Sequence, residues 1–170
     1  MPCFGKKINR NAVNKIYSMK YSLVIFSIML MTISVMAQKT NPNYDSELAT
    51  KLGADDYGMK TYVFVLLKTG SNESTDKVVR DSCFAGHMSN IERLVEEEKL
   101  IVAGPMEKND NTYRGIFILN VTTIDEASLL LESDAAIKAK YLEPEMYVWY
   151  GSAALSEYLP ASDKVWKIGF

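Results

Sequence analysis

Short apolar runs and polar turns succeed one another along the chain in a readable order. Tyr62 to Leu67 is a nearly continuous apolar run, closed by Thr69-Gly70-Ser71-Asn72. It predicts a strand over Lys60 to Lys68 that is buried on both faces. A long helix is expected from Thr75 to Glu98, with Phe84, Met88, Ile91 and Val95 recurring at helical spacing as one apolar stripe. Glu92 and Glu96 to Glu98 fall off that stripe, toward water. Leu100 to Ala103 reads as a second strand ending at Gly104-Pro105, and Glu107 to Thr112 as a hairpin loop. Tyr113 to Val121 is a third strand, again with a continuous apolar centre, Ile116 to Leu119. Thr123 followed three residues later by Glu126 is a capping-box pattern opening a second helix that runs to about Ser133. Glu143 to Tyr150 completes the set as a fourth strand.

The order β-α-β-β-α-β describes an α+β, ferredoxin-like unit: a four-stranded antiparallel sheet with both helices on one face. A sheet covered on one side only should alternate apolar and polar residues. The first and third strands do not, so their second face also needs a cover. A face-to-face homodimer through the open sheet face is the economical expectation. The alternative cover is the tail, residues 151–170, which carries Leu159-Pro160 and Trp166.

The N-terminal segment has a different character. Lys20 precedes an apolar run from Tyr21 to Val35, and Val35-Met36-Ala37 puts small residues at the −3 and −1 positions before Gln38. That is the pattern of a secretory signal peptide, so residues 1–37 are expected to be removed near Ala37 and the protein exported. Met19 serves as an alternative start, because residues 1–18 are a polar prefix that a signal does not need. If uncleaved, the run would be a membrane anchor of marginal length, since a bilayer core takes about 20 apolar residues. Residues 38–58 read as a polar tether containing a helix-like patch, Ser46 to Leu52, ahead of the domain proper at 59–150.

Charge follows the same division. Residues 1–37 hold five of the 19 basic residues and none of the 21 acids, so the remainder has 14 against 21, a net −7. A mildly acidic domain repels phosphate backbones, which argues against a nucleic-acid partner. Of the two cysteines, Cys3 lies in the leader and Cys83 stands alone, leaving no internal disulfide.

The chain has a single histidine, His87, on the long helix. At about 100° per residue it lies roughly 60–70° from the centre of the apolar stripe. This is a rim position, where an imidazole can meet both a protein partner and a ligand or simply face solvent. The topology brings the end of the second helix toward it. Asp134 there would either fix the imidazole tautomer for acid–base work or cap the helical turn Ala135 to Lys140. Cys83, four residues before His87, is a thiolate candidate or a small buried apolar group. Arg114 would clamp a carboxylate or form a surface ion pair, and the hairpin around Gly104 would shape a substrate pocket. There is no Walker loop, no Gly-rich dinucleotide turn and no Cys/His cluster, so neither a cofactor nor a metal is expected.

The stretch from His87 through Ile91, Leu94 and Leu100 to Ala103-Gly104-Pro105, continued by Arg114-Gly115-Ile116-Phe117 and an acidic turn at Asp134, resembles the YCII-related (YciI-like) family. The resemblance covers about Met59 to Tyr150. It implies a dimeric α/β-barrel assembly and a His–Asp active site on His87 and Asp134. Family members and their barrel relatives include muconolactone-isomerase-like and dehydrochlorinase-like enzymes, and many have no known activity. The chain departs from the family pattern at Phe84, where an arginine is usual, and at Ala135-Ala136, where a proline and an aromatic residue are usual. The expectations are therefore a cofactor-free lyase or isomerase acting on a small molecule, a non-catalytic module binding a small molecule or a protein, or a structural dimer with a vestigial site.

Overall fold

The computed structural model describes residues 41–167, so the expected leader lies outside the described residues. Helix α1 (Ser46–Leu52) starts where the Asp45 carboxylate accepts the Glu47 and Leu48 N–H groups, and stops at Gly53, whose φ of 69° is left-handed. Strand β1 (Met59–Thr69) leads into helix α2 (Lys77–Glu96), which Asp76 caps through the Val78 and Val79 N–H groups. Strands β2 (Leu100–Pro105) and β3 (Tyr113–Leu119) form the hairpin. Helix α3 (Ile124–Leu131) opens with the complete capping box of Thr123 and Glu126, as the spacing predicts. A single turn, α4 (Ala135–Lys138), precedes strand β4 (Leu142–Ser152). A 3₁₀ turn (Ala153–Glu157) and helix α5 (Tyr158–Ser162) follow.

The sheet order is β2-β3-β1-β4, with every neighbouring pair antiparallel. The α+β, ferredoxin-like expectation holds. The odd positions of β1, Val63, Val65 and Leu67, face the helices and are at most 3% exposed, with Phe117 and Leu119 of β3 beside them. Leu94 of α2 and Leu131 of α3 close the core from above. Each such side chain contributes roughly 1.5–3 kcal/mol by leaving water.

The even positions of β1 look the other way. Phe64 and Leu66, with Ile116 and Ile118 of β3, form a half-buried apolar face. On β4 the same face carries Tyr147 and Trp149, 49% and 38% exposed. The segment after β4 closes over one corner of it. Tyr62 is fully buried there, its hydroxyl donating to the Ser152 carbonyl at 2.8 Å and its ring 5.7 Å from that of Trp149. Val165 and Trp166 stay exposed. The tail is therefore a clasp on a corner, and the non-alternating centre of the sheet is left open.

The long helix differs from expectation in which face it buries. His87, Asn90 and Leu94 are its buried residues, with Cys83, Phe84 and Ile91 partly buried beside them, while Val95 is 38% exposed. The buried face is turned away from the Phe84/Met88/Ile91/Val95 stripe and centred on His87. The physical reason is that two polar side chains occupy the middle of that face and are satisfied there by partners from the α3–α4 turn.

Candidate functional site

His87 lies at the middle of α2, under the helix layer rather than on a rim: it is 8% exposed. Its ring stacks on Phe117 of β3, centroids 5.8 Å apart, and meets the Phe84 ring edge-on at 6.1 Å. The imidazole is thus slotted between sheet and helix with apolar walls on two sides.

Asp134 comes from the turn between α3 and α4 and is fully buried. One carboxylate oxygen, Oδ1, accepts the Ala136 and Ile137 N–H groups at 3.0 and 3.1 Å. The other, Oδ2, lies 2.7 Å from His87 Nδ1. The two roles open to Asp134 in the sequence, helix cap and imidazole partner, are both filled, one by each oxygen. Gly86 makes the approach possible. A Cβ at this position would come within 2.7 Å of the Ala135 Cβ, so any larger side chain would push α4, and Asp134 with it, away from α2.

Burial, the largest influence on the Asp134 carboxyl, works to raise its pKa; the hydrogen bond and charge of His87 and the two backbone N–H groups outweigh it and hold the pKa below the ordinary carboxylate value. An ionised carboxylate only accepts hydrogen bonds, so Nδ1 carries the proton. Among the described residues the other ring nitrogen, Nε2, has no protein partner, and the one sealed and unpartnered side-chain atom is the Tyr141 hydroxyl. Nε2 therefore keeps access to solvent, and it is the atom able to exchange a proton with a ligand.

Further polar residues surround the pair. Asn90, three residues after His87, points its Nδ2 at Asp134 Oδ2 from 3.4 Å. Asn90 Oδ1 accepts from Arg93 Nη2 at 2.7 Å and from the Ser133 hydroxyl at 2.9 Å. Asn90 and Arg93 are not apparent as site residues in the sequence. Their only signal there is spacing, His87, Asn90 and Arg93 falling three residues apart on one side of a helix.

The other candidates are not brought to this point. Gly104 pairs in register with Ile116, on the open side of the sheet, with nothing near where a Cβ would project. Arg114 is the extra residue of a β-bulge between the pairs Leu67–Gly115 and Lys68–Tyr113, and it is exposed. Among the described residues no hydrogen bond or ion pair joins either one to His87 or Asp134. Cys83 is a free, partly buried thiol packed against the core.

No family model and no curated protein matches the chain. Among solved structures, the chain is similar to 5-chloro-2-hydroxyhydroquinone dehydrochlorinase from Burkholderia phenoliruptrix in complex with 2,5-dihydroxybenzoquinone, at 23% identity and a TM-score of 0.37, over 51% of this chain and 92% of that chain.

The depressed Asp134 pKa carries a stability consequence. A carboxyl that is more acidic when folded stabilises fully above its unfolded value of about 3.9 and loses that stabilisation as pH falls through the lower folded value. Asp134→Asn keeps a capping oxygen but removes the charge. It should cost about 1–3 kcal/mol near pH 6, with the gap to wild type closing below about pH 4. Urea denaturation at a series of pH values checks this; a gap independent of pH would mean that the carboxylate is not held ionised by its partners.

Proposed function

We propose that this is an exported YCII-related protein in which His87 acts as a general acid/base on a small molecule, with Asp134 holding its tautomer and no cofactor taking part. The observation that carries the proposal is the 2.7 Å contact between His87 Nδ1 and a fully buried carboxylate, combined with an Nε2 left free of protein partners. A buried, oriented imidazole whose outer nitrogen faces a ligand is the arrangement that proton transfer needs. Lyase and isomerase reactions that turn on a proton shuttle fit such a group.

The chemistry of the walls narrows the ligand. Phe84 stands edge-on to His87 where an arginine would clamp an anion. The apolar surroundings of the imidazole suit an uncharged or weakly polar ring compound over a carboxylate. The same observation favours a second reading, a module that binds such a compound without turning it over, because among the described residues no cationic side chain is paired with the imidazole.

The reading is tested with a panel of small enolisable ketones and hydroxylated ring compounds in deuterated solvent, following exchange of carbon-bound hydrogens by NMR. Wild type should exchange at least one of them, and His87→Gln should slow it by about 10²–10⁴-fold with the fold unchanged by circular dichroism. A compound that raises the melting temperature but shows no His87-dependent exchange would replace catalysis with binding.

The proposal includes a homodimer through the open sheet face. Its support is the apolar centre formed by Phe64, Leu66, Ile116 and Ile118, next to a cleft of about 360 Å³ lined by Phe64, Ile118, Tyr147, Val148 and Trp149. Contiguous exposed apolar surface of this kind is uncommon on monomers. Light scattering should give twice the chain mass for wild type and a monomer for Ile118→Asp; a monomeric wild type at tens of micromolar would end the dimer reading. Export is checked separately, by the intact mass of protein recovered from the native host. Processing before Gln38 is expected, and a retained leader would mean a membrane anchor in its place.

A further inference from the structure

We propose that Arg93 is a positioning residue for the His87–Asp134 pair, acting through Asn90. This inference rests on the acid–base reading of His87 and extends it from the pair to the surface of α2.

Asp134 Oδ2 is shared. His87 Nδ1 approaches it at 2.7 Å and Asn90 Nδ2 at 3.4 Å. The second contact is long, so it cannot by itself hold the Asn90 amide in place. The other end of the amide does so. Arg93 Nη2 at 2.7 Å and the Ser133 hydroxyl at 2.9 Å both converge on Asn90 Oδ1. Two donors on one oxygen define it as the carbonyl end, and the NH₂ end is then forced toward the carboxylate. A flipped amide would turn its NH₂ toward the Arg93 guanidinium, donor against donor, and its one oxygen toward Asp134 Oδ2, acceptor against acceptor. Ser133 comes from the same turn as Asp134, so the clamp and the carboxylate move together.

Arg93 is itself anchored. Its Nη1 reaches both Glu97 oxygens, at 3.0 and 2.8 Å, and Nη2 also contacts the Leu130 carbonyl at 3.4 Å and the Ser133 hydroxyl at 3.1 Å. The Arg93 and Glu97 side chains are 40% and 46% exposed, whereas Asn90 is 5% exposed and Asp134 not at all. A polar chain thus runs along one side of α2, from a surface ion pair to the buried carboxylate, in steps of three and four residues. An exposed i,i+4 pair alone contributes little to stability. Here the guanidinium spends one nitrogen on that pair and the other on fixing the group that faces Asp134.

With Asn90 directed at Oδ2, the carboxylate stays fixed opposite Nδ1 and the Nδ1–H tautomer is favoured, leaving Nε2 as the base. Without the clamp the amide is free to rotate, and the neutral imidazole relaxes toward the Nε2–H tautomer. The chain has a single histidine, so ¹⁵N NMR of uniformly labelled protein, at a pH where the imidazole is neutral, reads the tautomer ratio without ambiguity. Arg93→Ala and Asn90→Leu should each lower the Nδ1–H to Nε2–H ratio about two- to tenfold, the span of one net hydrogen bond. The double variant should fall no further than either single one, because both remove the same link.

A residue that merely stiffens the helix would behave differently: Arg93→Ala would lower the denaturation midpoint and leave the ratio where it was. If Asp134→Asn shifts the ratio but Arg93→Ala does not, the positioning role is overturned and the pair stands. If Asp134→Asn leaves the ratio unmoved, the pair itself fails, and the role of Arg93 with it.

Discussion

A carboxylate with no exposed surface governs how the helix layer is built. Removing Asp134 from water would cost several kcal/mol without partners, and the structure answers with donors on every side. The first turn of α4 supplies two backbone N–H groups, His87 supplies Nδ1–H, and Asn90 approaches from α2. These demands fix the relative placement of α2, the α3–α4 turn and α4. They also explain two local features. Gly86 is small because α2 and α4 must nearly touch for Asp134 to reach His87. The loop after β1 is fastened to the far end of α4, with the Gly70 N–H donating to the Tyr141 carbonyl and the Asn72 N–H to the Lys140 carbonyl, both at 2.9 Å. A short helix of one turn has little stability of its own; pinned at both ends, it becomes a rigid mount for the carboxylate.

The sheet divides the described residues into two environments. Its helix side is a dry core in which Phe117 serves as both packing residue and stacking surface for His87. Its open side is apolar without being covered, apart from the corner where the post-β4 turn encloses Tyr62. The bulge at Arg114 belongs to this second environment, opposite Lys68. The imidazole and the open face therefore do not compete for the same residues. The proposed association through the sheet and the proposed proton transfer at His87 would rest on different side chains.

The order of elements and the capping box at Thr123 were legible because they rest on local rules: apolar runs between turn residues, and a fixed spacing of hydroxyl and carboxylate. The phase of α2 was not. Hydrophobicity marks Met88 and Val95 as inward residues, yet the face that is buried centres on His87 and Asn90. A buried polar cluster looks, by composition, like a solvated face, and only partners distant in sequence reveal it. Asp134 shows the opposite kind of ambiguity. Cap and imidazole partner read as rival roles along the chain, but a carboxylate has two oxygens, and the geometry uses one for each. Gly104 and Arg114 were drawn toward the site by their nearness to the hairpin. Strand register pairs Gly104 with Ile116 and the bulge leaves Arg114 exposed, and register is a property that a single strand's sequence does not encode.

The polar stripe on α2 is itself an argument about purpose. Replacing a buried ion pair and its hydrogen-bonded neighbours with well-packed apolar residues of similar volume is often neutral or even stabilising. A helix that needed only to cover this sheet would be served better by leucine at positions 87 and 90, in line with Leu94. Instead the centre of its buried face holds an imidazole and an amide, each tied to one carboxylate, with a guanidinium securing the amide from outside. The arrangement supplies donors to both oxygens of Asp134 and, among the described residues, leaves one ring nitrogen, His87 Nε2, without a protein partner. Stability alone gives little reason to place an imidazole and an amide at the centre of a buried face. The proposed proton exchange or ligand recognition at that nitrogen would give one.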